Sequence, residues 1–432
     1  MKEIGLGLLG FGTVGAGVVE GLQRNGDLIA DRAGVKLSLR KIADLDLDRD
    51  RGVTVEPGVL TRDGKALIHD PSIDLVIELI GGVGIAREFV TEALRLGKPV
   101  VTANKKLLAE HGAELFALAD EKKVDLRFEA SVGGGIPIIQ ALREGLIANH
   151  IPNAYGILNG TCNYILSRME AEGRAFDEVL RDAQELGFAE AEPSLDIDGH
   201  DTAHKAALLA SLAYGFPFPL GSMHVEGIRG IAREDIENAG ELGFRIKLLA
   251  VLKKHMGKVS VRVHPALVPV DHMLASVSGV FNAVMVSGDV VGDTLYYGRG
   301  AGRLPTASAV LSDVVAVARQ LASGSKAHVP AFVPEGATPE VERVEEIVSR
   351  NYLRLSLTDR PGVIAQVAKV LGDHGISIAT MVQKSEKRGE WVPVIMITHG
   401  AREGSLNDAL KELNALPVVG SGTVRYRIED FV

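Results

Sequence analysis

Between residues 187 and 205 the chain reads GFAEAEPSLDIDGHDTAHK, gathering Glu190, Glu192, Asp196, Asp198, Asp201 and Lys205 between two apolar segments. Carboxylates at this density can hold polar or cationic groups, and a lysine beside one of them can donate a proton to a carbonyl oxygen as it gains charge. Both flanks read as helices. Phe176, Val179, Leu180, Ala183 and Leu186 recur at helical spacing, and Gly187 falls where a glycine ends a helix. On the other side, Asp201 or Thr202 is placed to cap the run AHKAALLASLAY, which sets Lys205 in its first turn. A cation there opposes the helix dipole by roughly 0.3 to 1 kcal/mol, which Asp201, four residues back, offsets. Spacing alone favours an ordinary solvated ion pair.

The run Ala183-x-x-x-Gly187-Phe188-Ala189-Glu190, followed by Pro193, Asp196, Gly199, Asp201 and Lys205, resembles the signature of homoserine dehydrogenases. The resemblance continues in order along about 320 residues from the N-terminus. Glu192 stands where that family usually carries a shorter Asp, Asn or Ser, a departure that bears on the loop rather than on the chemistry. The resemblance implies reversible hydride transfer between NAD(P)H and L-aspartate 4-semialdehyde, giving L-homoserine, in threonine, methionine and isoleucine biosynthesis. It further implies Lys205, Lys105 and Asp201 as catalytic residues, with Lys205 protonating the oxygen, and Glu190, Asp201, Gly187 and Asp196 as substrate contacts.

Composition agrees with a small-molecule enzyme. The 432 residues suggest roughly three domains. A net charge of −9, without a Lys/Arg-rich run, argues against nucleic acid or an anionic membrane as partner. No apolar run reaches the roughly 18 residues of a membrane span. The opening MKEIGLGLLGFGTVG lacks the basic region and cleavage site of a signal peptide, and the single Cys162 cannot form an internal disulfide. A cytoplasmic location is expected.

An α/β fold must position these residues. The apolar run 4–9 leads into Gly10-x-Gly12-x-x-Gly15 and then a helical stretch, which is the dinucleotide fingerprint in its required strand–turn–helix setting. Gly10, Phe11, Gly12, Thr13, Val14 and Gly15 are the expected cofactor loop, with the pyrophosphate at the helix N-terminus. The next strand, 35–43, ends in Asp44, an acceptor for the adenosine ribose hydroxyls that favours NAD. Arg40, Lys41, Arg49 and Arg51 are close enough to admit the phosphate of NADP, so both cofactors stay open. Strands at 74–80, 99–103 and 125–130 alternate with helices, which implies a Rossmann-type, doubly wound parallel sheet. The Ile80-Gly81-Gly82 turn and Lys105 fall beyond the carboxyl ends of those strands, where ligands of such sheets bind.

The glycine cluster 131–137 reads as a hinge, and its carbonyls suit a hard cation. By resemblance, Glu129, Val132, Gly134 and Ile136 hold a structural sodium ion, Lys105 touches both cofactor and substrate, Gly302 contacts the cofactor, and Asn159, Gly160 and Thr161 open the substrate domain. Cys162 sits in an apolar helical pattern and lacks the histidine base of a thioester-forming semialdehyde dehydrogenase. His200 and His204 are four apart but lack the glutamate of HExxH, so metal binding there is the weaker reading. Residues 259–290 alternate as strands of an antiparallel sheet and as dimer surface, and 297–306 reads as a glycine-rich turn.

The expected organisation is a cofactor domain at 1–135 completed by about 303–321, an α+β substrate and dimerisation domain at 136–302, a linker at 322–349, and a separate module at 350–432. That module, with strands near 352–357, 376–383, 391–398 and 422–428 and helices near 361–373 and 406–413, follows the ferredoxin-like order. With Thr358-Asp359-Arg360-Pro361-Gly362-Val363 at its first turn it resembles an ACT domain, which implies an amino-acid effector, threonine by resemblance, and a homodimer or homotetramer. Two readings compete: an oxidoreductase, and a sensor of NAD(H) and an amino acid. Lys205 beside the acid array favours the enzyme. Deletion after about Ala337 is expected to leave an active dehydrogenase that has lost threonine sensitivity.

Overall fold

The computed structural model describes residues 1–325, 329–333, 336–384, 390–420 and 422–431, so parts of the expected linker and of the C-terminal module lie outside the described residues. The chain forms two compact units. The first is Met1–Gly160, Asp201–Gly221 and Val280–Thr338; the second is Thr161–His200, Ser222–Gly279 and Pro339–Val432.

The first unit is built on β1 (Lys2–Leu9), α1 (Thr13–Ala33), β2 (Val35–Ala43), β3 (Leu60–Thr61), α2 (Gly64–His69), β4 (Leu75–Glu78), α3 (Gly84–Arg95), β5 (Val100–Thr102), α4 (Lys105–Lys122) and β6 (Leu126–Arg127). All strand pairs are parallel, in the order β3-β2-β1-β4-β5-β6. That order reverses direction between β1 and β4, which opens a crevice at the carboxyl ends of those two strands. Six of the eight β1 residues are fully buried, as a strand covered on both faces must be. The helix Arg303–Ser323 returns to pack on α1, where a Cβ on Gly17 would lie 2.5 Å from the Arg303 carbonyl oxygen. Ala307, Val310 and Val314 join Ile4, Val18 and Val19 in one core. The expected strand at 125–130 is shorter: after Arg127 the chain turns into a 3-10 helix, Glu129–Ser131, because the Glu129 N–H bonds to Asp313 at 2.7 Å instead of a neighbouring strand. Of the expected turn 297–306, Tyr297–Arg299 belong to the strand Gly292–Arg299, which pairs with Phe281–Gly288, and Arg303 begins the helix.

In the second unit, Phe244–His255 and Lys258–Pro269 form a hairpin over twelve residue pairs, joined at Met256 and Gly257, both with positive φ. The strands expected within 259–290 are 258–269 and 281–288, and the hairpin partner 244–255 was not read from the sequence. The far side of Lys258–Pro269 is covered in parallel by three short strands: Glu340–Val341 at Lys258 and Val259, His224–Val225 at Arg262 and Val263, and Val424–Ile428 at Ala266 and Leu267.

The last of these belongs to the C-terminal module. Its strands Val348–Thr358, Ile378–Gln383, Trp391–Thr398 and Val424–Ile428 form an antiparallel sheet, and its helices Val363–Asp373 and Glu403–Ala415 share one core with it, including Leu353, Leu355, Val367, Leu371, Leu406 and Leu413. The βαββαβ order is the expected one, but the module is joined to its unit by strand pairing and buried charge. Arg427 meets Glu403 at 2.7 and 2.9 Å and Glu226 at 3.1 Å, and Arg354 meets Asp235 at 2.6 Å, all within this unit. Deletion after Ala337 would leave Glu226 and Asp235 without these partners, so the expectation of a finished fold after truncation is revised. Breaking a buried ion pair from one side typically costs about 3–5 kcal/mol. We expect Glu403→Ala to lower the unfolding free energy read from a urea titration by that much, and a value equal to the parent's would show that Arg427 finds other acceptors.

Candidate functional site

The fingerprint glycines divide the work. Gly10 has φ +95, and a Cβ there would meet the Leu79 carbonyl at 2.6 Å, so only glycine lets the turn lie against the end of β4. At Gly12 a Cβ would meet nothing within 4 Å, leaving open backbone at the N-terminus of α1 where phosphate oxygens can approach. An apolar cavity beside it is lined by Leu9, Ala43, Leu79, Ile80, Ile85 and Phe89, a shape and chemistry that fit an adenine ring. Asp44 accepts the Phe11 N–H at 2.6 Å and the Arg51 guanidinium at 3.3 Å, while Arg51 also lies 4.8 Å over the Phe11 ring. The residues present therefore fit a dinucleotide, with Phe11, Gly12, Thr13, Asp44 and Arg51 around a second cavity. Gly302, with φ +127, caps the helix Arg303–Ser323.

A second cluster forms where three elements of the first unit converge. The helix bearing the lysine runs His200–Tyr214, so Asp201 lies inside its first turn and is not the cap the sequence suggested. There it faces the positive end of the dipole, and its carboxylate is 4% exposed. Lys205 Nζ donates to Asp201 Oδ2 at 2.7 Å and to the Leu158 carbonyl at 2.7 Å. Lys105 Nζ, from the first residue of α4, reaches Asp201 Oδ1 at 2.9 Å, and Asn159 Nδ2 donates to Oδ2 at 2.9 Å. Burial opposes ionisation of Asp201, but the two ammonium groups outweigh it and hold the carboxyl well below the usual carboxylate range. The ordinary surface ion pair is thereby replaced by a buried triad. Neighbouring His204 is pushed down by burial and stays neutral near pH 7.

The remaining expected contacts lie in the second unit. Gly187, at φ +74, ends the helix Phe176–Glu185, and the segment after it places Glu190 exposed and Asp196 half-buried. The other acids are already engaged: Glu192 takes the Ser194 N–H at 3.1 Å, and Asp198 takes Arg229 at 2.8 and 3.0 Å. Glu192 thus organises the turn in which it replaces a shorter residue. Cys162 is buried, its Sγ 3.2 Å from the Asp196 carbonyl oxygen. Among the described residues no group of three or more His, Cys, Asp or Glu is placed to hold a metal ion.

Glu129 takes the N–H groups of Ile139 at 2.9 Å and Gln140 at 2.7 Å. Burial, then Asp313, push its carboxyl up to about 7 against those hydrogen bonds. Asp313 is pushed up to about 6, again by burial. The Ile136 carbonyl accepts the Ile138 N–H at 2.8 Å, while no backbone hydrogen bond to the Val132 or Gly134 carbonyl is found among the described residues. One carboxylate and hard carbonyl oxygens fit a group I ion.

Sequence reasoning passed over Arg51 as a partner of Asp44, Asn159 as a partner of Asp201, and Glu78 at the end of β4. For Glu78 the available signal was a lone acid in the apolar run LVIELI.

A doubly wound sheet with an open glycine turn at its switch point, and a lysine held by a buried carboxylate, define an NAD(P)-dependent oxidoreductase. A family model described as homoserine dehydrogenase matches residues 137–315, its NAD-binding domain matches 10–129, and an ACT domain matches 351–418. A homoserine dehydrogenase of Pseudomonas aeruginosa is 46% identical over 433 residues, covering 99% of each chain. The crystal structure of a homoserine dehydrogenase from Thiobacillus denitrificans, 46% identical, superposes with a TM-score of 0.94 over 100% of this chain and 99% of that one. A hyperthermophilic archaeal homoserine dehydrogenase in complex with NADPH is 28% identical, with a TM-score of 0.62 over 73% of this chain and 97% of its own. The chain belongs to the homoserine dehydrogenase family.

Because Glu129 binds its proton more tightly folded than unfolded, its contribution to stability is complete below about pH 4.5 and is lost as pH rises to about 7. The loss amounts to about 3 kcal/mol at most. Urea midpoints at pH 5 and pH 8 should therefore differ less in Glu129→Gln than in the parent; an equal difference would assign the slope to other groups.

Proposed function

We propose that the chain catalyses the reversible NAD(P)-dependent reduction of L-aspartate 4-semialdehyde to L-homoserine, with Lys205 as its proton donor. The observation that carries this assignment is the Lys205 ammonium: two of its three N–H donors go to Asp201 and Leu158, and among the described residues no acceptor takes the third, which can meet a ligand atom. The dinucleotide, when bound, supplies or accepts the hydride. The chain's own residues manage the proton. As a carbonyl oxygen gains negative charge, Lys205 donates to it, and in the opposite direction the amine takes the proton back from the hydroxyl. Asp201 fixes Lys205 and, through its other oxygen, brings a second ammonium from Lys105 to the same place, where both favour a developing alkoxide. By the family resemblance, Glu190, Gly187 and Asp196 complete the substrate contacts.

Glu129 with the carbonyls of Val132, Gly134 and Ile136 is the proposed sodium site, since one buried carboxylate with backbone carbonyl oxygens is the hard donor set such an ion takes. The C-terminal module is the proposed site of an amino-acid effector, threonine by family resemblance, in a homodimeric or homotetrameric enzyme.

Purified protein mixed with L-homoserine and either NAD or NADP should generate the absorbance of the reduced nicotinamide; no absorbance with either would reject the reaction. Lys205→Met should lower kcat by about 100-fold or more while dinucleotide affinity is kept. Near-parent turnover would remove Lys205 from the proton path. Cofactor choice has a separate test. The Asp44 charge is answered in part by Arg51, which supports use of both dinucleotides. Arg51→Ala leaves that carboxylate unpaired and should lower kcat/KM for NADP more than for NAD. Equal losses would show that Arg51 shapes the loop without reading the phosphate.

A further inference from the structure

β4 ends in Glu78, a carboxyl group that is fully buried at the end of an apolar strand and that no step of the proton transfer uses. Its hydrogen-bond partners among the described residues are neutral. Oε1 takes the N–H of Ile80 at 2.8 Å and of Gly81 at 3.3 Å, and Oε2 takes the Thr102 hydroxyl at 2.6 Å. Burial pushes this carboxyl up, and the bonds from Thr102, Ile80, Gly81 and the Asn104 side chain only partly oppose it. An apolar residue would fill the space without the cost of burying an acid, so the carboxyl must be answering a positional demand.

That demand is visible in the next residues. Thr102 Oγ1, whose proton goes to Glu78, accepts the Asn104 N–H at 3.0 Å. Asn104 then does two things: its Nδ2 donates to the Gly82 carbonyl at 2.7 Å, and its Oδ1 takes the Leu107 N–H at 3.1 Å as the cap of α4. The Ile80–Gly82 turn and the start of α4 are thereby closed into one ring of hydrogen bonds centred on Glu78. The first residue of α4 is Lys105. Its Nζ meets Asp201 Oδ1 at 2.9 Å, so the place where α4 begins decides whether the ammonium can reach that carboxylate.

We propose that Glu78 is a positioning residue, which through Thr102 and Asn104 fixes the cap of α4 and hence the direction in which Lys105 reaches Asp201. This rests on the reading that Lys105 acts at the reaction site. A misplacement of about 1 Å there is enough to cost about 100-fold in rate.

Thr102→Val is the decisive variant, because it keeps the shape of the side chain and removes only the hydroxyl that bridges Glu78 to the Asn104 N–H. We expect kcat to fall about tenfold or more, with dinucleotide affinity by nicotinamide fluorescence within about threefold of the parent. Glu78→Leu should show the same split, and Glu78→Gln, which keeps an oxygen for the two loop N–H groups, should recover much of the rate. The Thr102→Val and Lys105→Met pair should be no slower than Lys105→Met alone, since the hydroxyl acts only through that lysine. Parent-like turnover in Lys105→Met would defeat the underlying reading. Loss in Lys105→Met with parent-like turnover in Thr102→Val, or losses that multiply in the pair, would overturn the role of Glu78 alone. Should Glu78→Leu fail to fold, Thr102→Val still decides.

Discussion

One buried carboxylate shared by two ammonium groups is the constraint on which the candidate site depends. Asp201 is almost fully removed from water, and an isolated charge in that position would take up a proton. Lys205 and Lys105 keep it ionised, and it in turn lets two cations approach one another. The arrangement requires three separate stretches to meet: the end of the strand Asn153–Ile157, which supplies Leu158 and Asn159, the first turn of the helix His200–Tyr214, and the first residue of α4. Lys247, in the second unit, shows what burial does without such a partner. Its Nζ donates to the Val277 carbonyl at 2.7 Å and more weakly to Asn163, and burial pulls the amine down to about 8.

The elements with a strong local signal were legible. The glycine fingerprint could be read because strand, turn and helix follow one another without interruption, and Gly10 and Gly15 each answer a steric demand at the turn. The C-terminal module could be read because its strands and helices switch period at glycines such as Gly375, where φ is +71. What spacing could not show was which charges would be shared. The i,i+4 relation of Asp201 and Lys205 is local, but Lys105 and Asn159 come from 96 and 42 residues away in sequence, and only the fold brings them in. Arg51 was read as a compensating charge near Asp44 and instead spends part of its guanidinium on that acid. The helix start at His200 was misplaced by two or three residues because Asp201 has the chemistry of a cap and is used as a counter-ion instead.

The two units use buried charge differently. In the first, the buried triad leaves a donor on Lys205 uncommitted and the carboxyls of Glu129 and Asp313 raised, so polar groups remain to be answered by something bound. In the second, Arg427 lies between Glu403 and Glu226, and Arg354 against Asp235, with burial of the Arg427 guanidinium offset by its carboxylate partners. Such pairs add little net stability over a well-packed apolar core, but they fix one register and punish every other. The C-terminal module therefore docks in a defined way.

The three short strands laid along Lys258–Pro269 are drawn from positions 224–225, 340–341 and 424–428. An unpaired strand edge of this length and apolarity is a template for other chains. During synthesis from the N-terminus, the first part of that edge to find its cover is the middle, the second is the start, and the last is Ala266 and Leu267, whose partners are Arg427 and Ile428. The nascent protein thus carries an open aggregation edge until residues 424–428 have emerged, and that strand, whatever else its module senses, is the piece that closes it.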